Sequence, residues 1–175
     1  VQTLGLPDRR DEYWKYTRPD TPVHPVAPEA AVFEHDEAMM FSTFDRLKIV
    51  FVDGIFDPEV SDDLSLEGVE IDRLEDICCT DIHWAKDLYG VLEERGQSPV
   101  QRPLAALNTA FAADGVAIHV TGKPSKPISL IYVHKDTASD ATLHHVVRVE
   151  TGAEVTIHEH IFTIIKTGKY LVIDI

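Results

Sequence analysis

The sequence predicts an α+β protein in which a hairpin and two helices precede a run of short strands. The hairpin is indicated by "KIVFVDGIF", where β-rich residues flank Asp53 and Gly54, a dipeptide that favours a two-residue type I′ turn. After Gly115 the hydrophobic period falls from near 3.6 to 2, which is typical of strands. The 175 residues are 44% hydrophobic and 26% charged, so the chain can bury a core.

Two segments before that change of period have helical spacing. In the first, between roughly Leu74 and Gly96, apolar residues recur at intervals of three and four, and the final glycine provides a stop. The second, "RPLAALNTAFAADG", has Pro103 near its first turn and ends at Asp114 and Gly115. Each segment is therefore predicted to form one helix.

The remaining chain is predicted to be all-β. "VAIHV", "ISLIYVH", "HHVVRVE" and "EVTIHEH" alternate in polarity, and "KYLVIDI" closes the sequence. Their period is compatible with a sandwich, a barrel or the coils of a solenoid. We divide the chain into an N-terminal α/β region, 1–114, and a β region, 115–175. The first region includes an extended arm, "RPDTPVHPVAP", which has too many prolines for a helix or central strand.

Composition argues against several classes of function. The formal net charge of −14 would repel nucleic-acid phosphates and anionic membranes, and favours solubility or a basic partner. The sequence contains no run of about 20 apolar residues that could span a bilayer. Cys78 and Cys79 are adjacent and are interpreted as buried or half-buried thiols. Together these features predict a cytoplasmic, reducing location.

The usual motifs of catalysis are missing. The sequence has no GxSxG, Walker-type loop or GxGxxG, so we predict that it is not an enzyme. The acidic segment "DPEVSDDLSLEGVE" lacks the glycine and terminal glutamate of a calcium loop, and is interpreted as a solvated loop. The adjacent His144 and His145 are also interpreted as solvated.

The stretch "GAEVTIHEH" supplies the weak metal candidates His158 and His160, because it matches the opening of the cupin motif. On a strand, alternation places both histidines on the face opposite Val155 and Ile157. We therefore expect the valine and isoleucine in the core and the histidines at a surface or interface. The following "IFTIIK" provides no third ligand. A small cupin-like metal-binding protein is the alternative hypothesis.

Five blocks in order, over residues 4 to 160, resemble the SufB/SufD family of iron–sulfur cluster assembly proteins, and SufD-like members in particular. They are "GLPDRRDEYWKYT", "IVFVDGIFDPEVS", "PLAALNTAFAADGVAIHV", "KPISLIYV" and "RVETGAEVTIHEH". The family-signature residues among them are Arg9, Glu12, Trp14, Lys15, Tyr16, Asn108, Asp114, Gly115, Glu159 and His160.

This resemblance implies that the α/β region leads into the first coils of a right-handed parallel β-helix. It implies a non-catalytic scaffold that works with SufB-like and SufC-like subunits, in which the SufC-like ATPase hydrolyses the ATP. The iron–sulfur cluster would be handled by the assembled complex, and this chain alone would bind no cofactor.

The resemblance also implies that the sequence corresponds to the N-terminal part of the family, without most of the β-helix and without the C-terminal helical region. A solenoid that stops early exposes apolar surface and an unpaired strand edge. We therefore predict either that "KYLVIDI" caps the open end or that this end pairs with another copy, giving a homo-oligomer.

Overall fold

The computed structural model describes residues 5, 43–81, 83–95, 101–136 and 141–162. The N-terminal signature, the proline-rich arm and the closing "KYLVIDI" lie outside these residues, apart from Gly5.

Seven described strands form two sheets. In chain order they are β1 (Leu47–Val52), β2 (Ile55–Phe56), β3 (Val69–Arg73), β4 (Val116–Val120), β5 (Ile128–Val133), β6 (Val146–Val149) and β7 (Ile157–Phe162). The first sheet has the order β2-β1-β5-β7 and the second the order β3-β4-β6. The helical segments are α1 (Leu74–Ile77), a 3₁₀ helix (Trp84–Asp87), α2 (Val91–Arg95) and α3 (Pro103–Phe111). The predicted α+β class is confirmed, and these strands form two open sheets rather than a closed barrel.

The predicted hairpin is present as β1 and β2, which pair antiparallel. Asp53 and Gly54 both have positive φ, 51° and 82°, as a type I′ turn requires. The Asp53 Oδ1 accepts hydrogen bonds from the backbone N–H groups of Lys135 (2.8 Å) and Asp136 (3.1 Å). The turn is therefore attached to the chain that leaves β5.

The acidic segment after the hairpin is more than a solvated loop, because part of it pairs with β1. The Ser61 Oγ accepts a hydrogen bond from Val50 N–H (2.9 Å), and an Asp62 carboxylate oxygen accepts one from Lys48 N–H (2.8 Å). Asp62 N–H donates back to the Lys48 carbonyl. These bonds satisfy backbone groups of β1 that the two-residue β2 is too short to reach.

The parallel pairings share one sequence offset. Residue 117 pairs with 146 and residue 128 with 157, and the bridge between Asp114 and Leu143 joins residues equally far apart. From β4 onward the chain alternates between the sheets and returns to each of them 29 positions later.

Strands from both predicted regions share the two sheets. β1 pairs parallel with β5, and β3 pairs antiparallel with β4. β3 is an element that the sequence did not predict, because "VEIDR" is short and mostly charged. The division at 114 and 115 stays a prediction.

The main core lies between the inner faces of the sheets. Ile49 and Leu130 from the first sheet, and Ile118 and Val120 from the second, are at most 2% exposed and belong to one cluster. β6 is an edge strand, and its inward positions Val147 and Val149, paired with Ile118 and Val120, are 43% and 48% exposed. The core is thus open beside β6.

The prediction of one helix between Leu74 and Gly96 is wrong. α1 has only four residues, and His83 is extended, with φ −149°, where its Nδ1 accepts a hydrogen bond from Ala85 N–H (3.1 Å). Ala85 is 2% exposed and packs with Ala117 and Val146 on the outer face of the second sheet. Burial against this sheet therefore overrides the weak local preference for a continuous helix. The second predicted helix is confirmed as α3, which begins at Pro103.

Replacing Ile118 by alanine should lower the free energy of unfolding by roughly 2–5 kcal/mol, because the change leaves a cavity in the buried core. Val147→Ala is the matched control, since Val147 pairs directly with Ile118 but is 43% exposed, and it should cost about 0.5–1 kcal/mol. Urea unfolding followed by circular dichroism measures both changes. Equal losses in the two variants would contradict this position of the core.

Candidate functional site

The family-signature residue Asp114 is a buried junction between the hairpin and both sheets. It lies between α3 and β4 and is 3% exposed. Its Oδ2 accepts hydrogen bonds from Arg73 Nη2 (2.9 Å) and from the backbone N–H of Phe56 (3.3 Å). Its Oδ1 accepts one from the backbone N–H of Gly115 (2.8 Å). A buried carboxylate needs such partners, and here they join the end of β3, the hairpin and the start of β4.

Arg73, which the sequence did not single out, completes this junction. Its guanidinium also pairs with Glu75 and lies 4.8 Å from the ring centroid of Phe56, a cation–π contact. Burial disfavours the charged guanidinium, but the hydrogen bond and the charge of Asp114 outweigh that effect and raise the pKa of Arg73. No sequence pattern around Arg73 identifies this partner, because Asp114 is 41 positions away.

The signature residues Asn108 and Gly115 both meet the segment 142–145, which leads into β6. Asn108 Nδ2 donates a hydrogen bond to the Leu143 carbonyl (2.9 Å). A Cβ on Gly115 would lie 1.7 Å from the carbonyl oxygen of His144, so only glycine fits. His144 N–H also donates to the Asp114 carbonyl. These signature residues therefore have a structural role: they place the chain that enters β6.

A second polar centre, Tyr132–His145–Glu159, lies at one end of the core. The Tyr132 hydroxyl is 2.9 Å from His145 Nε2 and donates a hydrogen bond to Glu159 Oε1 at 2.8 Å. His145 Nδ1 accepts a hydrogen bond from the backbone N–H of Val116 (3.1 Å). This fixes the neutral tautomer, with the proton on Nε2 pointing at the tyrosine oxygen. The chain of donors therefore runs from His145 through Tyr132 to the signature residue Glu159.

The interpretation of His145 as solvated is wrong, because its ring packs 5.6 Å from that of Phe51 and 5.8 Å from that of Tyr132. Burial, followed by the charge of His144, lowers the pKa of His145 to about 4. Burial and the hydrogen bond to Glu159 raise the pKa of Tyr132. Tyr132 occupies a core-facing position of "ISLIYVH", and a buried tyrosine hydroxyl needs a partner, which is the signal that could have revealed this centre.

The alternation predicted for β7 is confirmed. Val155 and Ile157 pack against the core cluster, and His158 and His160 lie on the other face of the sheet. His160, however, is buried, with 7% of its surface exposed, rather than at an open surface. Burial, followed by the charges of Arg46 and His158, lowers the pKa of His160. The two histidine rings are 6.2 Å apart and perpendicular.

A cupin-like metal site is not favoured. Within the described part of the chain, no group of three or more histidine, cysteine, aspartate or glutamate residues could hold a metal ion. His158 and His160 thus lack a third protein ligand among these residues, and the sheets around them are open.

The interpretation of the cysteines as buried is also wrong. Cys78 and Cys79 follow the short helix α1, and both are exposed. Their sulfur atoms are 3.6 Å apart, and both residues line a surface cavity of about 590 Å³. The helix is too short to bury them, because it ends where the chain turns toward the 3₁₀ helix.

The other signature residues, Arg9, Glu12, Trp14, Lys15 and Tyr16, lie outside the described residues. None of the described helices is long and apolar enough to cross a membrane.

Asp114→Ala should lower the free energy of unfolding by about 3–5 kcal/mol, because it leaves the Arg73 charge without its buried partner. Glu75→Ala is the matched control: Glu75 pairs with the same guanidinium, but its side chain is 61% exposed, so its loss should cost at most about 1 kcal/mol. Urea unfolding compares the two variants. A loss for Asp114→Ala no larger than that for Glu75→Ala would contradict the junction.

Stability should fall as the pH drops from about 6.5 to about 4. The unfolded chain protonates His145 at its ordinary pKa near 6.5, whereas burial holds the folded pKa at about 4. The unfolded state therefore binds more protons across this window, which costs the folded state roughly 3 kcal/mol at its lower end. Urea unfolding at several pH values measures this slope, which His145→Gln should reduce.

Tyr132→Phe is the control for this pH dependence. It removes the hydroxyl but keeps the ring, so it should lower stability at every pH while leaving the slope in place. An unchanged slope in His145→Gln would show that another group causes it.

Comparison with known proteins gives these features a family. The model of the SufBD protein N-terminal region matches residues 1–128. The chain is 27% identical over 165 residues to the iron-sulfur cluster assembly protein SufD of Escherichia coli (strain K12), covering 89% of this chain and 35% of that relative. The chain therefore spans about a third of the length of this curated relative. The resemblance predicted from the sequence is confirmed: the chain belongs to the SufBD family.

Proposed function

We propose that this protein is a non-catalytic scaffold component in iron–sulfur cluster assembly. The observation that carries the proposal is the family match over residues 1–128, together with the relative that is itself an assembly protein. The signature residues Asn108, Asp114 and Gly115 support a scaffold role, because their contacts fix backbone segments and present no reactive group to solvent.

SufB-like and SufC-like subunits are the proposed partners. In this proposal the SufC-like ATPase supplies the ATP hydrolysis, and the iron–sulfur cluster is handled by the assembled complex rather than by this chain alone. The proposed location is the cytoplasm, where cysteines such as the exposed Cys78 and Cys79 stay reduced.

The strands β4 to β7 are proposed to form the first coils of a right-handed parallel β-helix. The common 29-residue offset of their pairings supports this, because a solenoid returns to each sheet after a constant number of residues. The exposed Val147 and Val149 would then face the position of a further coil.

Co-purification tests the scaffold proposal. The chain, co-expressed with tagged SufB-like and SufC-like subunits, should be retained with at least one of them. A folded chain that is retained with neither would contradict the proposal. Retention by unrelated basic proteins instead would point to a simple interaction module that uses the negative charge.

The open edge is proposed to pair with another copy of the chain. Size-exclusion chromatography with light scattering should then give twice the 19.6 kDa chain mass. Val149→Lys should restore the monomer, because a lysine in the exposed inward row would oppose strand addition. Val60→Lys is the matched control, since Val60 is similarly exposed at 50% but lies outside the edge strands. A wild-type monomer at high concentration would contradict the pairing.

A further inference from the structure

We propose that Cys78 and Cys79 together chelate one thiophilic metal ion, such as Zn(II) or Cd(II), in the surface cavity that they line. This goes beyond the proposed scaffold function and does not depend on it.

The spacing of the two sulfur atoms fits a common metal ion. Two thiolates bound tetrahedrally at a metal–sulfur distance of about 2.3 Å have sulfur atoms about 3.8 Å apart. The Cys78 and Cys79 sulfur atoms are 3.6 Å apart without a metal, so chelation needs only a small change. A disulfide would instead require these atoms to approach to about 2.05 Å between neighbouring residues. The geometry therefore favours chelation over oxidation.

The surroundings favour a cation. Both cysteines are exposed, so an ion reaches them directly. The carboxylates of Glu75 and Asp76 act on Cys78 through their charges, and Asp81 lines the same cavity. The cavity volume of about 590 Å³ leaves room for further ligands around the ion.

His83 lines the same cavity but is already engaged. Its Nδ1 accepts a hydrogen bond from Ala85 N–H (3.1 Å), and its Nε2 lies 3.3 Å from Asp72 Oδ2. The described residues therefore supply two thiolates and no third cysteine or histidine ligand. Water or a small thiol would complete the coordination, leaving an open site rather than a closed structural one.

Metal binding at this pair displaces protons. The Cys78 thiol is 3.0 Å from the Glu75 carbonyl oxygen, to which it donates, and the hydrogen bond with Cys79 is the main cause of the raised pKa of Cys78. Both residues are thus thiols before binding. Coordination of one divalent ion forms two metal–sulfur bonds and releases two protons to solvent, so binding should tighten as the pH rises.

Titration with Cd(II) alone tests the proposal on the full chain. The sequence contains only two cysteines, so any ultraviolet thiolate-to-cadmium charge-transfer band must come from this pair. The band should saturate at one ion per chain, and the affinity should increase between about pH 6 and about pH 8. Cys78→Ser and Cys79→Ser should each weaken binding by at least about tenfold, because each removes one arm of the chelate.

Thr80→Ala is the matched control, since Thr80 lines the same cavity without a sulfur ligand, and it should keep the full band. Absence of the band in the wild type would overturn the proposal. So would serine variants that each keep half of the band with unchanged affinity, since the thiols would then bind independently. A doubling of the 19.6 kDa mass on cadmium addition would likewise overturn it, because the ion would then link two chains.

Discussion

The fold depends on the turn between α3 and β4, where Asp114 holds the hairpin, Arg73 and the start of β4 together. Its carboxylate is buried and accepts hydrogen bonds from all three. Gly115 beside it leaves space for the carbonyl of His144. Because β6 begins two residues after His144, this junction sets where the chain returns to the second sheet, and so the register of β6 on β4.

The segment 142–145 receives contacts from the same region of the chain at each of its positions. The Thr142 carbonyl accepts a hydrogen bond from Ala113 N–H, and the Leu143 carbonyl accepts one from Asn108. His145 continues this series by accepting a hydrogen bond from Val116 N–H and passing its own donor to Tyr132. One short segment thereby links the Asp114 junction to the polar centre at the end of the core, which accounts for two family blocks that are distant in sequence.

Local patterns predicted the elements whose signals are local. The hairpin at Asp53 and Gly54, the helix that begins at Pro103, and the alternating strands that include β7 all follow from turn chemistry or hydrophobic period. The segment after β3 was mispredicted, because burial of Ala85 against the second sheet outweighs helical spacing. The side of the sheet on which His160 lies was predicted, but its burial was not, because burial depends on what covers that face.

The sequence by itself determined the α+β class, the family and the identity of signature residues such as Asp114 and Gly115, since these reside in short contiguous motifs. Only the tertiary structure decided what those residues do. Arg73 and Asp114 are 41 positions apart, and Tyr132 and Glu159 are 27 apart, so no local pattern can reveal the pairs. The 3.6 Å spacing and the exposure of Cys78 and Cys79 were equally hidden, because they depend on where α1 ends and how the following chain packs.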